Sequence, residues 1–140
     1  MINDDLKMTG AVSIALNGEV VREIPNLVVT AGKNWVADRM NDANTVMTHM
    51  AVGTGTTAAA AGQTTLVSEA ARGALTSTTV TNNAIAYVET FAAGTGTGAL
   101  TEAGIFDAAS GGDMLCRTVF SVVNKGSADA MTITWTITVS

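Results

Sequence analysis

The sequence is poor in the residues that most chemistry requires. Among its 140 residues there is one cysteine, one histidine and one proline. The lone Cys116 cannot form an intrachain disulfide, and its place in an alternating apolar run predicts a buried thiol. His49 lies among apolar residues, no G-x-S-x-G motif occurs, and no group of potential metal ligands is apparent. The sequence therefore predicts a protein that is not an enzyme and that holds no metal or cofactor.

Charge and long apolar runs are also scarce. Charged residues make up 14% of the chain, the net charge is −5, and the seven cations are scattered one at a time, so the basic stripe of a nucleic-acid binder is missing. No apolar run approaches the ~20 residues of a membrane span. The opening MINDDLKM has acids where a secretory signal needs cations. We expect a protein made in a cytoplasm, with a surface of Ser and Thr hydroxyls that costs less to desolvate than a charged one.

What the chain does have is alternation between apolar and polar residues, the period of a β-strand. The clearest case is 131-MTITWTITVS-140, and Asn17-Gly18 marks a tight hairpin turn. The pattern predicts about eight strands, at 8–16, 19–24, 47–52, 75–81, 84–91, 104–107, 114–123 and 131–140. This is typical of an all-β antiparallel jelly roll or β-sandwich. We expect one such domain over 8–140, preceded by a flexible N-terminal arm over 1–7.

One short helix is predicted over 30–40. Thr30 is placed to cap its N-terminus, and Trp35, Val36, Arg39 and Met40 share one face at spacings of three and four. We expect Met40 to fill space in the core. Helices do not alternate with strands along the chain, as a parallel sheet would require.

Two loops rich in glycine and threonine, at 53–65 and 92–101, interrupt the strands. The first contains Gly53-Thr-Gly55-Thr-Thr-Ala58, which spells the dinucleotide fingerprint G-x-G-x-x-A. That fingerprint needs a helix after the glycines and an acid about 20 residues later, and the sequence offers neither. The second contains the near copy 93-AGTGTG-98. Either the two loops have similar form, or the likeness reflects composition alone.

Three stretches carry a resemblance to a known family: 26-NLVVTAGKNWVADRM-40, 49-HMAVGTGTTAAAAGQTTLVSEAAR-72 and 102-EAGIFDAASGGDMLCRTVF-120. Together they resemble small virion proteins of tailed bacteriophages, most closely the jelly-roll capsid cement (decoration) proteins of short-tailed phages. The resemblance implies a protein on the outer surface of the capsid that staples neighbouring major capsid protein subunits against the pressure of the packaged DNA. It also implies a homodimer at two-fold positions, synthesis in the bacterial host cytoplasm, and no catalytic residues.

The candidate partner interface is the N-terminal arm together with the two loops, because loops on a β scaffold commonly carry recognition. Its residues are Ile2, Asn3, Leu6, Thr54, Thr56, Thr57, Thr95 and Thr97. An equally open reading is that the arm frays and the loops merely connect strands. Two other functions stay open: a trimeric tail-fibre or collar component, and a carbohydrate-binding β-sandwich, which would need exposed aromatic rings.

Overall fold

The computed structural model describes residues 6–140, and the candidate residues Ile2 and Asn3 lie outside that part of the chain. The described residues form ten strands and one helix. In chain order these are β1 (Met8–Leu16), β2 (Glu19–Pro25), β3 (Leu27–Val28), α1 (Thr30–Met40), β4 (His49–Gly53), β5 (Glu69–Ala74), β6 (Ser77–Thr81), β7 (Ala84–Phe91), β8 (Gly98–Phe106), β9 (Met114–Lys125) and β10 (Met131–Val139).

The strands form two five-stranded antiparallel sheets. The first sheet has the order β2-β1-β10-β7-β6, and the second has the order β3-β9-β8-β4-β5. Four of the eight strand pairs join consecutive strands. β10 is the central strand of the first sheet and pairs with both β1 and β7. The expected all-β antiparallel sandwich with one short helix is confirmed.

The core lies between the two sheets and follows the predicted alternation. Met131, Ile133, Trp135 and Ile137 of β10 are all buried, and the threonines between them face outward. Burial of a large apolar side chain contributes about 1.5–3 kcal/mol. The inner faces of both sheets therefore supply the main driving force for folding.

The Asn17-Gly18 hairpin is confirmed in detail. Asn17 and Gly18 have φ values of 51° and 84°, the positive values that a type I′ turn requires. The Asn17 side chain also donates to Asp129 Oδ1 over 2.8 Å, which fixes this turn to the one between β9 and β10. That bond is the main reason why the pKa of Asp129 lies below its ordinary value.

The largest differences from the predicted strands are two additional strands and an earlier start of β8. β3 and β5 were not expected, and residues 98–101, predicted to belong to the second loop, are the first part of β8. β5 has the sequence EAARGA, whose small side chains and glycine give no apolar alternation. The strand exists because β4 offers a free edge, with Met50 opposite Gly73 and Ala51 opposite Arg72.

The helix spans the predicted residues, but two details of the prediction were wrong. Thr30 is the first helical residue and caps nothing with its side chain; instead its backbone N–H donates to Ala61 O over 2.8 Å. Met40 is 87% exposed, because the helix packs against β9 near its beginning, at Gly32, and only Gly32 and Trp35 of the helix are buried. Gly32 lies so close to Leu115 that a Cβ atom there would meet the Leu115 carbonyl oxygen at 2.0 Å.

Candidate functional site

The structure places the second glycine–threonine loop beside the two strands that the first loop joins. We call residues 54–68, between β4 and β5, the first loop, and residues 92–97, between β7 and β8, the second loop. At the base of the second loop, Gly96 faces Val52 of β4 and Ala71 of β5, the two strands that the first loop joins. The five candidate threonines, Thr54, Thr56, Thr57, Thr95 and Thr97, are all exposed.

Leu6 does not belong to this surface. It is 77% exposed and precedes Met8, which pairs with Val139 at the far end of β10. The second loop instead follows Phe91, which pairs with Met131 at the near end of the same strand. Leu6 and the second loop therefore lie at opposite ends of the first sheet, and the described candidate residues do not form one continuous surface.

The first loop lies over a fully buried carboxylate, that of Glu102 in β8. Glu102 Oε2 accepts hydrogen bonds from the backbone N–H groups of Gly55 (2.7 Å) and Ser68 (2.8 Å). Glu102 Oε1 accepts a third from the N–H of Val67, also over 2.8 Å. One side chain thus holds both ends of the first loop.

Arg117 of β9 neutralises this carboxylate from within the protein. Its Nε and Nη2 atoms donate to Glu102 Oε1 over 3.1 and 3.0 Å, and both side chains have no exposed surface. Its Nη1 atom reaches the middle of the first loop, donating to Thr57 O and Gln63 Oε1, both over 2.9 Å. The ion pair therefore fixes the loop at its beginning, middle and end.

These contacts set the ionisation of Glu102. Burial by itself would raise the pKa of the carboxyl group. The backbone N–H groups of the first loop and the Arg117 guanidinium outweigh that effect and hold the pKa of Glu102 below its ordinary value. The carboxylate thus stays charged at neutral pH, as the loop requires.

The arrangement also explains the two glycines of the fingerprint. A Cβ atom on Gly55 would lie 2.2 Å from Glu102 Oε2, and one on Gly53 would lie 2.3 Å from the Ser68 carbonyl oxygen. Only glycine lets the backbone come this close. The two glycines therefore lie against an anion, and that anion is the carboxylate of Glu102.

The rest of the first loop is packed against the outer face of the second sheet. Leu66 is 5% exposed and joins a small apolar cluster with Val29, Ala51, Phe106 and Met114. Thr54 is tied to the base of the loop as well, since its N–H donates to Ser68 O over 2.9 Å. The loop is therefore a fixed layer of the fold that presents Thr56 and Thr57 to solvent.

A second hydrogen-bond network joins the end of the stretch 49–72 to the stretch 102–120. Arg72 of β5 donates to Glu69 through Nε and Nη2 (3.1 and 2.7 Å), and its guanidinium carbon lies 3.8 Å from the centre of the Phe106 ring. Its Nη1 atom donates to the carbonyl oxygens of Ala108 (3.0 Å) and Gly111 (2.8 Å). Motifs that lie far apart in the sequence therefore meet in space, and their shared role is to hold loops.

Sequence reasoning did not identify the Glu102–Arg117 pair. The available signal was a single acid in the apolar run ALTEAGIF and a single arginine in the apolar run MLCRTVF. Isolated charges of opposite sign in two buried strands favour an internal ion pair. The register confirms the proximity: Glu102 pairs with Val119 and Gly104 with Arg117 on adjacent strands.

Over residues 6–140, no three His, Cys, Asp or Glu side chains come close enough to hold a metal ion. His49 is partly buried, and its Nδ1 atom lies 2.7 Å from the hydroxyl of Thr48. No helix in the same part of the chain has the length and apolar character that crossing a bilayer demands.

Comparison of the chain with family models, with curated proteins and with solved structures gave no match.

Proposed function

We propose that this protein is a non-enzymatic capsid cement (decoration) protein of a tailed bacteriophage. It binds the outside of the icosahedral shell and staples neighbouring major capsid protein subunits, as a homodimer at two-fold positions. The sequence resemblance introduces this proposal. The observation that carries it is the first loop, whose exposed threonines are uncharged and whose backbone is fixed from beneath by a buried ion pair.

A fixed, uncharged surface suits a protein whose work is adhesion. A rigid loop loses little conformational entropy when it binds, so more of the contact energy appears as affinity. Threonine hydroxyls and methyl groups are cheaper to desolvate than ions. Repetition over the many equivalent sites of a shell multiplies the effect of each weak contact.

Burial of the aromatic residues counts against a carbohydrate-binding module. All six aromatic residues of the chain are at most 9% exposed, including Trp35, Trp135 and Tyr87. Burial also raises the pKa of Tyr87 to about 12. A module that stacks sugars on aromatic rings needs at least one such ring at its surface.

The direct test is binding of the purified protein to expanded, decoration-free capsids of tailed phages, imaged by electron microscopy at saturating concentration. We expect ordered density on the exterior at symmetry positions. No density on any such capsid, together with a trimer in solution, would replace the cement role by the tail-fibre or collar role.

A matched pair of variants separates the first loop from the rest of the surface. The double variant Thr56→Glu, Thr57→Glu places two charges on the exposed part of the first loop. Thr9→Glu places a charge on an exposed position of β1 in the other sheet. We expect the first to abolish capsid binding and the second to leave it intact; equal binding by both variants would exclude the first loop from the interface.

A further inference from the structure

The four edge strands of the two sheets are not protected equally. Exposed edges invite pairing with other chains unless charges, proline or shortness blunt them. β2 carries Glu19, Arg22, Glu23 and ends in Pro25, and β5 carries Glu69 and Arg72. β3 has two residues and leads directly towards the helix. β6, with the sequence STTVT, has no charge and no proline, and all five of its residues are exposed.

An apolar pocket adjoins this unprotected edge. Val80 of β6 is 68% exposed, and in the sheet it pairs with Ile85 of β7, which pairs in turn with Ile137 of β10. Ile137 is buried in the core, so Val80, Ile85 and Ile137 all lie on the inner face of the first sheet. Val80, at the edge, is not covered by the second sheet. There it lines a pocket of about 400 Å³ together with Val139 and the Asn82-Asn83 turn. Free backbone groups beside an apolar pocket are the two parts of a strand-addition site.

The charge distribution favours a second copy of the chain as the occupant. From Gly73 to Val88 the sequence contains no charged residue, although the whole chain carries a net charge of −5. A second copy carries the same net charge, so contact through an uncharged surface avoids repulsion between like charges. The β6 edge and its pocket are such a surface.

We propose that β6 pairs antiparallel with β6 of a second copy of this chain, about a two-fold axis at Thr79. This register sets Thr78 of one copy opposite Val80 of the other, and both side chains lie on the inner face. The two first sheets then become one ten-stranded sheet, and each exposed Val80 side chain packs against Thr78 of the other copy, beside its own pocket. A closed two-fold contact of this kind leaves no free β6 edge for further growth.

The contact is small because each strand has five residues. Interfaces of limited area are weak and reversible, so the dimer depends on concentration. Its role at a two-fold position of a shell rests on the proposed function. The pairing itself is measured in solution without any capsid, and the electron microscopy measures capsid binding, so the two results are distinguishable.

The test is sedimentation equilibrium of the intact chain from about 5 to about 500 μM, a range that covers weak association. We expect a reversible monomer–dimer equilibrium for the wild-type protein. Val80→Lys should raise the dissociation constant by at least about tenfold, because it removes the apolar contact with Thr78 of the other copy and places two like charges diagonally across the paired strands. Circular dichroism should show that this exposed substitution leaves the fold unchanged.

The matched control is Val20→Lys. Val20 is 54% exposed on β2, the opposite edge of the same sheet, so it tests the added charge without touching β6. We expect its dissociation constant to equal that of the wild type. A wild-type protein that stays monomeric throughout the range, a dimer that survives Val80→Lys, or an equal effect of the two lysines would each overturn the proposal.

Discussion

The two glycine–threonine loops look alike in sequence and are held in different ways. In the first loop Gly55 has ordinary negative φ and is required by a neighbour, the Glu102 carboxylate. In the second loop Gly94 and Gly96 have φ values of 85° and 65°, and a Cβ atom on Gly94 would meet nothing within 4 Å. The first loop therefore depends on a tertiary contact, and the second on the local conformation of its own backbone.

The charges beneath the loops differ in the same way. Glu102 and Arg117 neutralise each other and bind the first loop at four residues of its backbone. Beneath the second loop, Lys125 is buried and donates one hydrogen bond, of 2.9 Å, to Ala92 O. Likeness in sequence between the loops thus does not extend to their structure, and the repeat is best explained by composition.

The largest expected effect comes from breaking the ion pair. Arg117→Met leaves the Glu102 carboxylate buried without its counter-ion, and we expect the free energy of unfolding to fall by about 3–5 kcal/mol. Lys125→Met is the matched change beneath the second loop. It removes a single hydrogen bond from a charged group, and we expect a loss of about 1.5–3 kcal/mol. Urea denaturation of the two variants measures the difference, and a larger loss for Lys125→Met would reverse the comparison.

The next largest loss of stability is expected where a glycine of the first loop is packed so closely that a side chain would clash. Gly55→Ala pushes a Cβ atom against Glu102 Oε2 and against Val67, and we expect a loss of about 1–3 kcal/mol. Gly62→Ala is the control, because its Cβ atom would meet nothing within 4 Å and its φ is not positive. We expect that change to be neutral or to stabilise by about 0.4–1 kcal/mol. Thermal unfolding of both variants would refute the steric account if their melting temperatures were the same.

Acid should weaken the first loop through Glu102. The pKa of this group is lower in the folded protein than its ordinary value of 4.5, so the unfolded chain binds its proton first as the pH falls. The stabilisation is complete above pH 4.5 and is lost as the pH falls through the folded pKa. Glu102→Gln lacks this titration, whereas the lowered pKa of Asp129 acts in both proteins. The difference in unfolding free energy between wild type and variant should shrink on acidification; a constant difference from pH 7 to pH 3 would contradict the assignment.

The smallest effect is expected in the second loop. Gly94→Ala places a side chain at positive φ with no steric neighbour, and we expect a cost of about 1–2 kcal/mol. Gly94→Asn should recover part of that loss, since asparagine tolerates the left-handed region. Gly55→Asn should recover nothing relative to Gly55→Ala, because its clash is with Glu102 and not with its own backbone. Melting temperatures of the four variants test both statements.

The alternation in β10 and the turn at Asn17-Gly18 could be read directly, because both are set by residues adjacent in the chain. β5 could not, since its small residues become a strand only where β4 offers hydrogen-bonding partners. The sequence analysis singled out the threonines of the first loop, which are exposed. It did not identify the Glu102–Arg117 ion pair that fixes this loop. The predictions that Met40 is buried and that Thr30 caps the helix were wrong. Local sequence pattern does not show which side and which end of a helix meet the sheet.

The sequence by itself determined that this is an all-β chain with tight turns, few ions and an uncharged segment at Gly73–Val88, since period, turn residues and composition are local properties. Only the tertiary structure decided that Glu102 would meet Gly55, Val67 and Ser68, which lie 47, 35 and 34 residues away. It also decided that β6 would be an edge, whereas β10 became the centre of its sheet. The physical reason is the same for both: a side chain or a strand edge gains its partner from the register of other strands, and register is a property of the whole sheet.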